Sequence, residues 1–270
     1  MGEVIKLSAP AHGGFWEIPV LHEDAQLLAL DKPAGLLTSP DRYDPDRPNL
    51  MKLLHAGIER GAPWAKSRGL DYLMNAHRLD FETSGVILLA RSKPVLVALA
   101  NLFGTDKPKK AYIAVVQGAP AEDAFEVDAK IAPHPVKVGL MRVDPKHGKK
   151  ALTRFETLER FRNHTLLKCF PVTGRTHQIR VHLRRVGLPI AGDQLYGGGP
   201  LLLSRMKAGY RLKPGETERP LIPRVALHAE RVAVPHPVTG EIVEITAPLP
   251  KDFTVALKYL RRYAAGPGQL

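Results

Sequence analysis

The sequence predicts an α+β fold: a mixed, largely antiparallel sheet with flanking helices. Two observations carry this. Strand-like apolar runs and amphipathic helical runs are interspersed without strict alternation, which argues against a doubly wound parallel sheet. Two neighbouring pairs of strand-like segments are also joined by short polar turns, the pattern of antiparallel hairpins.

The elements follow in chain order. "AQLLALDKPAG" reads as a short strand, Leu27 to Leu30, entering a Pro/Gly turn. "NLMKLLHAGIERG" reads as a helix closed by Gly61. "GVILLA" is continuously apolar, as a central strand is. "KPVLVALANLFG" is a helix with Leu96, Leu99 and Phe103 on one face. "AYIAVVQG" is a further strand, and "ALTRFETLERF" with "HTLLKCFPV" forms a strand pair around Arg162 and Asn163. "THQIRVHLRRVG" reads as a helix of about three turns ended by Gly187. Ile179, Leu183 and Val186 form its apolar stripe, and His177, Arg180 and Arg184 share a basic face. "RVALHAERVAVPHPVTGEIVEITAP" is a hairpin turning near Thr239-Gly240. "DFTVALKYLRRYAAG" is a terminal helix with Asp252 as its N-cap. No internal repeat or low-complexity block interrupts the chain.

Composition narrows the function. The 270 residues suffice for one large domain or two small ones. Lysine and arginine number 39 against 27 acids, a formal charge of +12. That balance points to a polyanion, nucleic acid ahead of an anionic membrane. Cys169 is the only cysteine, which excludes an intrachain disulfide and a cysteine-rich zinc site. The start, "MGEVIKLSAPAHGGFW", lacks the apolar centre of a signal peptide. No apolar run approaches the ~20 residues of a membrane helix. A cytoplasmic protein is the expectation, with no membrane partner.

Familiar catalytic patterns are missing. There are eleven histidines, but no HExxH and no CxxC. His177 and His182 are five apart and do not share a helical face, while His134, His147 and His236 fall in Pro/Gly-rich loops. The "GGG" at 197–199 has neither dinucleotide-binding nor Walker spacing, and Ser39 and Ser84 lack a GxSxG frame. Neither a metal nor an organic cofactor is expected.

"HRLDFETSG", His77 to Gly85, stands out instead. Asp80 follows Arg78 by two residues and precedes the buried-looking "VILLA". A carboxylate acts as nucleophile or base only when ionised, and nearby guanidinium groups favour that form. Arg180 is a second possible partner. A capped turn or a structural ion pair would use the same residue types, so spacing alone leaves these readings open.

"HRLDFETSGVILLA" resembles the central motif of the RluA-type pseudouridine synthases, written HRLDxxTSG. "LLALDKPAGLLT" resembles the first motif of that family, and "KKAYIAVVQG" its Lys-x-Tyr strand. "PVTGRTHQIRVHLRRVGLPIAGDQLYG" resembles its third motif, and "ALHAERVAVPHPVTGE" its closing hairpin. The similarity runs from Ile18 to Pro248 with the motifs in order.

The resemblance implies a pseudouridine synthase fold with a central RNA-binding cleft. It implies isomerisation of uridine to pseudouridine in structured RNA, ribosomal or transfer, by a catalytic aspartate, Asp80. A non-catalytic RNA-binding protein on the same fold is the alternative. Arg180 would match the arginine that pairs with the aspartate, and Tyr112 the tyrosine that stacks on the flipped base. Leu227 would match an apolar position against that base. Arg78 would enter the RNA stack where the uridine leaves it, offsetting part of the unstacking cost of a few kcal/mol. Thr83, Ser84 and Gly85 would fix the loop. Lys32 and Gly35 would set the preceding turn, with Lys32 also reaching the RNA backbone.

Residues 1–17 are then an N-terminal extension, 18–264 the catalytic domain and 265–270 a tail. Seventeen residues are too few for the S4-type RNA-binding domain that many members carry. The basic stretch "SRMKAGYRLKPGETERPLIPR" is a thumb-like RNA contact in this reading, and "DPKHGKK" a phosphate grip or a surface turn. A monomer is expected.

Overall fold

The structure is a computed structural model that describes residues 3–41, 44–105, 107–213 and 215–266. The chain divides into two compact units. One comprises Met1–Lys110 with Ala229–Pro248, the other Ala111–His228 with Leu249–Leu270.

The first unit begins with strands β1 (Val4–Ala9), β2 (Gly14–Glu23) and β3 (Leu27–Lys32). Helices α1 (Leu50–Glu59) and α2 (Pro63–Lys66), strands β4 (Met74–Asn75) and β5 (Ser84–Ala90) and helix α3 (Lys93–Gly104) follow. The second unit takes up most of β6 (Lys109–Gln117), then β7 (Ala124–Asp128), β8 (Ile131–Pro133), β9 (Met141–Val143), β10 (Leu152–Arg160), β11 (His164–Pro171) and helix α4 (Gln178–Arg185). The chain returns to the first unit along β12 (Leu227–Pro235) and β13 (Ile242–Thr246), and ends in the second with helix α5 (Lys251–Tyr263).

In the first unit β1, β2, β3 and β5 pair antiparallel in that order, with β4 also on β5. All seven residues of β5 are buried, as an apolar run without alternation requires of a strand covered on both faces. Its Val86, Leu88 and Ala90 pack with Val95 and Leu99 of α3 and with Val232 and Val234 of β12. Asn49 caps α1, its Oδ1 accepting from Lys52 N–H at 2.9 Å. The β12–β13 hairpin pairs Arg231 with Thr246 through Pro235 with Ile242, and Gly240 supplies the positive φ of its turn.

In the second unit the order is β6, β11, β10, β7, all antiparallel. β8 and β9 make a separate two-stranded ribbon. Ile113 to Val116 of β6 are buried consecutively and share one core with Leu167 and Cys169 of β11, Ile179 and Leu183 of α4, and Phe253 and Leu257 of α5. Burial pushes the Cys169 thiol well above its ordinary pKa, so it is inert packing.

Several expectations change. β3 extends through Lys32, because Asp31 and Lys32 still pair with Val86 and Gly85. Residues 4–23, which carry only a weak alternating pattern, hold a strand pair with Ile5, Leu7 and Ile18 buried in it. α4 has eight residues, shorter than three turns. His177 precedes it, Arg180 is buried within it and Arg184 is exposed, so the three do not form one basic face. Val186 lies beyond its last turn and is exposed. Asp252 sits inside the first turn of α5, whose N-cap is Pro250. Its carboxylate accepts from Arg224 Nε and from the Phe253 N–H of the same turn, both at 2.8 Å.

Among the described residues no helix is long and apolar enough to cross a membrane. No group of three or more His, Cys, Asp or Glu among them could hold a metal ion.

Candidate active site

The "HRLDFETSG" segment links β4 to β5 in the first unit, and each residue has a physical assignment. His77 Nε2 accepts from the Leu88 N–H of β5 at 3.1 Å, and its ring stacks on Phe103 at 4.9 Å. Burial, with a smaller push from the Lys110 cation, lowers its pKa to about 3. It is therefore a neutral pillar, its other ring nitrogen directed at the Arg78 carbonyl. Arg78 is exposed, Leu79 buried and Asp80 half-buried.

Thr38 holds this alternation in place. Its buried hydroxyl donates to the Leu79 carbonyl (3.0 Å) and accepts from the Leu79 N–H (3.2 Å). Both backbone polar groups of the residue before Asp80 are thus satisfied by one side chain. After Asp80 the chain turns, and Thr83 N–H donates to the Asp80 carbonyl at 3.1 Å. Gly35 N–H donates to the Phe81 carbonyl (2.8 Å), and Arg47 lies over the Phe81 ring at 4.1 Å. Thr83 and Ser84 are buried. Gly85 has φ +115°, and a Cβ there would fall 2.2 Å from the Ala229 carbonyl oxygen. Only glycine satisfies both conditions. Asp80 consequently stands on a loop pinned on both sides, with its side chain partly open to solvent.

Lys32 is fully buried, and its ammonium donates to the carbonyls of Pro33 (2.8 Å) and Leu36 (2.7 Å). It shapes the turn that carries Gly35. That burial overturns the expectation that it also reaches the RNA backbone.

The remaining predicted residues belong to the second unit. Tyr112 lies on β6 opposite Cys169, half-buried and packed against the core. Leu227 opens β12 and is 3 % exposed. Its carbonyl accepts from Arg224 Nη1 at 3.1 Å, and Arg224 is in turn forked onto Asp252 and lies over Phe253 at 5.3 Å. Arg180 projects from α4, buried, with Nε and Nη2 donating to the two oxygens of Asp193 at 2.7 and 2.8 Å. Both charges are almost wholly removed from water, so each depends on the other for compensation. The guanidinium also lies over the Tyr196 ring at 4.9 Å. Tyr196 Oη is 2.8 Å from His177 Nδ1 and accepts from Met141 N–H at 3.0 Å. His177 is the one described non-glycine residue with positive φ, +53°. Such a backbone persists only where its surroundings hold it.

Thr38, Asp193 and Tyr196 lie within motifs already quoted, yet no local pattern gives them a role. Thr38 acts across 41 residues. Asp193 sits in a tight glycine turn, where a Cβ on Gly198 would fall 1.7 Å from the Ile190 carbonyl oxygen. The first signal in each case is spatial.

Residues 26–185 match the family model described as RNA pseudouridylate synthase. The chain is 35% identical to "Ribosomal large subunit pseudouridine synthase D" of Xanthomonas campestris pv. campestris, over 98% of this chain and 77% of that protein. It is likewise 35% identical to the protein of the same description from Haemophilus ducreyi, over 90% and 70%. Among solved structures, human RNA Pseudouridylate Synthase Domain Containing 4 is 25% identical with a TM-score of 0.67, covering 92% of this chain and 94% of that one. The chain belongs to the RNA pseudouridylate synthase family. It is an isomerase that acts on RNA.

Proposed function

We propose that Asp80 is the catalytic carboxylate and that the substrate is large-subunit ribosomal RNA. One observation carries the catalytic part: a half-exposed aspartate on a loop whose backbone is fixed on both sides by buried groups. Such fixing holds a reacting group in place without covering it. The named activity of the curated relatives favours the ribosomal target.

In the reaction the N1–C1′ bond breaks, the uracil turns, and a C5–C1′ bond forms. The C5 proton is lost and N1 takes up a proton, so atoms and charge balance. Asp80 serves as nucleophile toward sugar or base, or assists elimination at the sugar. Arg180, held by Asp193 and Tyr196, supplies positive charge for an ionised carboxylate. Tyr112 stacks on the base, with its hydroxyl available to the C5 proton, and Leu227 gives an apolar contact. Arg78, exposed two residues before Asp80, occupies the vacancy in the RNA stack. The protein acts as a cytoplasmic monomer.

Pseudouridine mapping of ribosomal RNA from cells with and without the gene tests this reading. One or more large-subunit positions should revert to uridine, and return with the wild-type gene but not with Asp80→Asn. An unchanged ribosomal map with losses in transfer RNA would move the substrate. An unchanged map throughout would reject the assignment.

A further inference from the structure

The second unit holds a polar cavity that this mechanism does not use. It has a volume of about 130 Å³ and is lined by Gln117, Arg162, Asn163, His164, Arg205 and Met206. That is several times the space a single water needs.

The local sequence builds it. β10 and β11 are joined by a tight turn over 161–163, closed by Phe161 N–H donating to the His164 carbonyl at 2.8 Å. Arg162 N–H donates to the Ala264 carbonyl, and Gly118 N–H to the Asn163 carbonyl, both at 2.9 Å. The turn is therefore anchored on two sides. His164 faces Gln117 in the strand register. The Gln117 carbonyl oxygen accepts from Gly199 N–H at 3.0 Å, which fixes the other end of the amide as the NH₂ group. A Cβ on Gly199 would fall 3.2 Å from that nitrogen and 4.0 Å from Arg205 Nη1. An amide donor and a guanidinium donor thus stand near one another, and among the described residues no carboxylate lines the cavity.

His164 supplies an independent sign. It is 9 % exposed, and its Nε2 is buried without a hydrogen-bond partner. Buried polar atoms are nearly always paired, and an orphan of this kind calls for an explanation, a bound ion among them. Burial, with the Arg205 cation beside it, lowers its pKa to about 4. At neutral pH the ring is uncharged and offers a single N–H donor.

We propose that this cavity is a phosphate site, with Arg162 and Arg205 providing charge and Gln117, Asn163 and His164 Nε2 the neutral donors. Forked guanidinium groups suit phosphate oxygens. The phosphate comes either from the RNA backbone, which rests on the function proposed above, or from free phosphate, which does not.

The test has two arms on the full-length protein. In the first, inorganic phosphate is titrated while the His164 imidazole is followed by ¹⁵N NMR. A saturable shift is expected, weakened about tenfold or more by Arg162→Gln with Arg205→Gln, the loss of charge-assisted bonds. In the second, affinity for a ribosomal RNA fragment is measured against salt. An RNA backbone source makes the double variant's log–log salt slope shallower by about one. A phosphate shift with an unchanged slope supports the site with free phosphate as its source. A slope change without a phosphate shift makes the two arginines loose surface contacts and overturns the site. No response in either arm overturns it as well. Loss of turnover in Asp80→Asn is read separately, so failure of the cavity and failure of the catalytic assignment are distinguishable.

Discussion

Thr38→Val removes a hydroxyl that bonds both the carbonyl and the N–H of Leu79, at 3.0 and 3.2 Å. Valine has nearly the same shape, so the change isolates the hydrogen bonds. Thr38 is 2 % and Leu79 6 % exposed, so water does not readily replace the lost partner. Each orphaned backbone group costs roughly 1–3 kcal/mol, or about 2–4 kcal/mol for the pair after partial relaxation. At 1.36 kcal/mol per factor of ten, even 2 kcal/mol is about a 30-fold shift toward other loop arrangements. Asp80 is the next residue, and its placement depends on that backbone. The assay is tritium release from RNA labelled at uracil C5, with an RNA-binding measurement beside it. Thr38→Val should lower kcat by tenfold or more and leave RNA affinity within about threefold. Thr38→Ser, which keeps the hydroxyl, should restore most of the rate. A Thr38→Val enzyme with wild-type kcat and a lowered melting temperature would refute the reasoning. The hydroxyl would then support the fold without placing the carboxylate.

Other outcomes follow from the same structure. Gly85→Ala combines a left-handed φ of +115° with a Cβ 2.2 Å from a backbone oxygen, and should cost about 2–5 kcal/mol in urea unfolding; an unchanged midpoint would show that the strands yield freely there. His77 and His164, with pKa values lowered to about 3 and 4, and His182, lowered by burial, stay neutral in the folded protein as they protonate in the unfolded chain. Unfolded chains therefore bind more protons below the ordinary histidine pKa near 6.5, and stability should fall from about pH 6.5 toward pH 4, by up to ~1.4 kcal/mol per pH unit per histidine. A flat urea midpoint between pH 7 and 5 would contradict that burial. Arg78→Ala should slow turnover on a structured RNA more than on a short unpaired RNA with the same target, because only the former pays for unstacking; equal losses would indicate that Arg78 orients Asp80.

Much of this was legible in the sequence where chemistry is local. Continuous apolar runs gave β5 and β6, and short polar turns gave the hairpins at Asn163 and Gly240. The segment around Asp80 was marked by its composition. The roles of other residues were not, because they depend on distant partners. Arg180 reads as one cation on a basic helix, yet the helix is only eight residues long and that arginine turns inward to Asp193. Lys32 reads as a turn residue that also reaches the RNA backbone, yet it is buried against two carbonyls. Thr38 shows no local sign of its double bond to Leu79. The Val4–Glu23 strands give no clear signal, because prolines and glycines interrupt a weak alternation. His164 reads as the first residue of a strand, and its orphaned nitrogen appears only in three dimensions.

The most direct measurement is C5 tritium release by Asp80→Asn at saturating RNA, with folding checked by circular dichroism and RNA binding measured in parallel. Asparagine preserves the shape but is neither a carboxylate nucleophile nor a base. Turnover should fall about 10⁴-fold or more, as for other single catalytic groups, while fold and RNA affinity stay close to wild type. Release at a near-normal rate by a folded, RNA-binding Asp80→Asn protein would contradict the account.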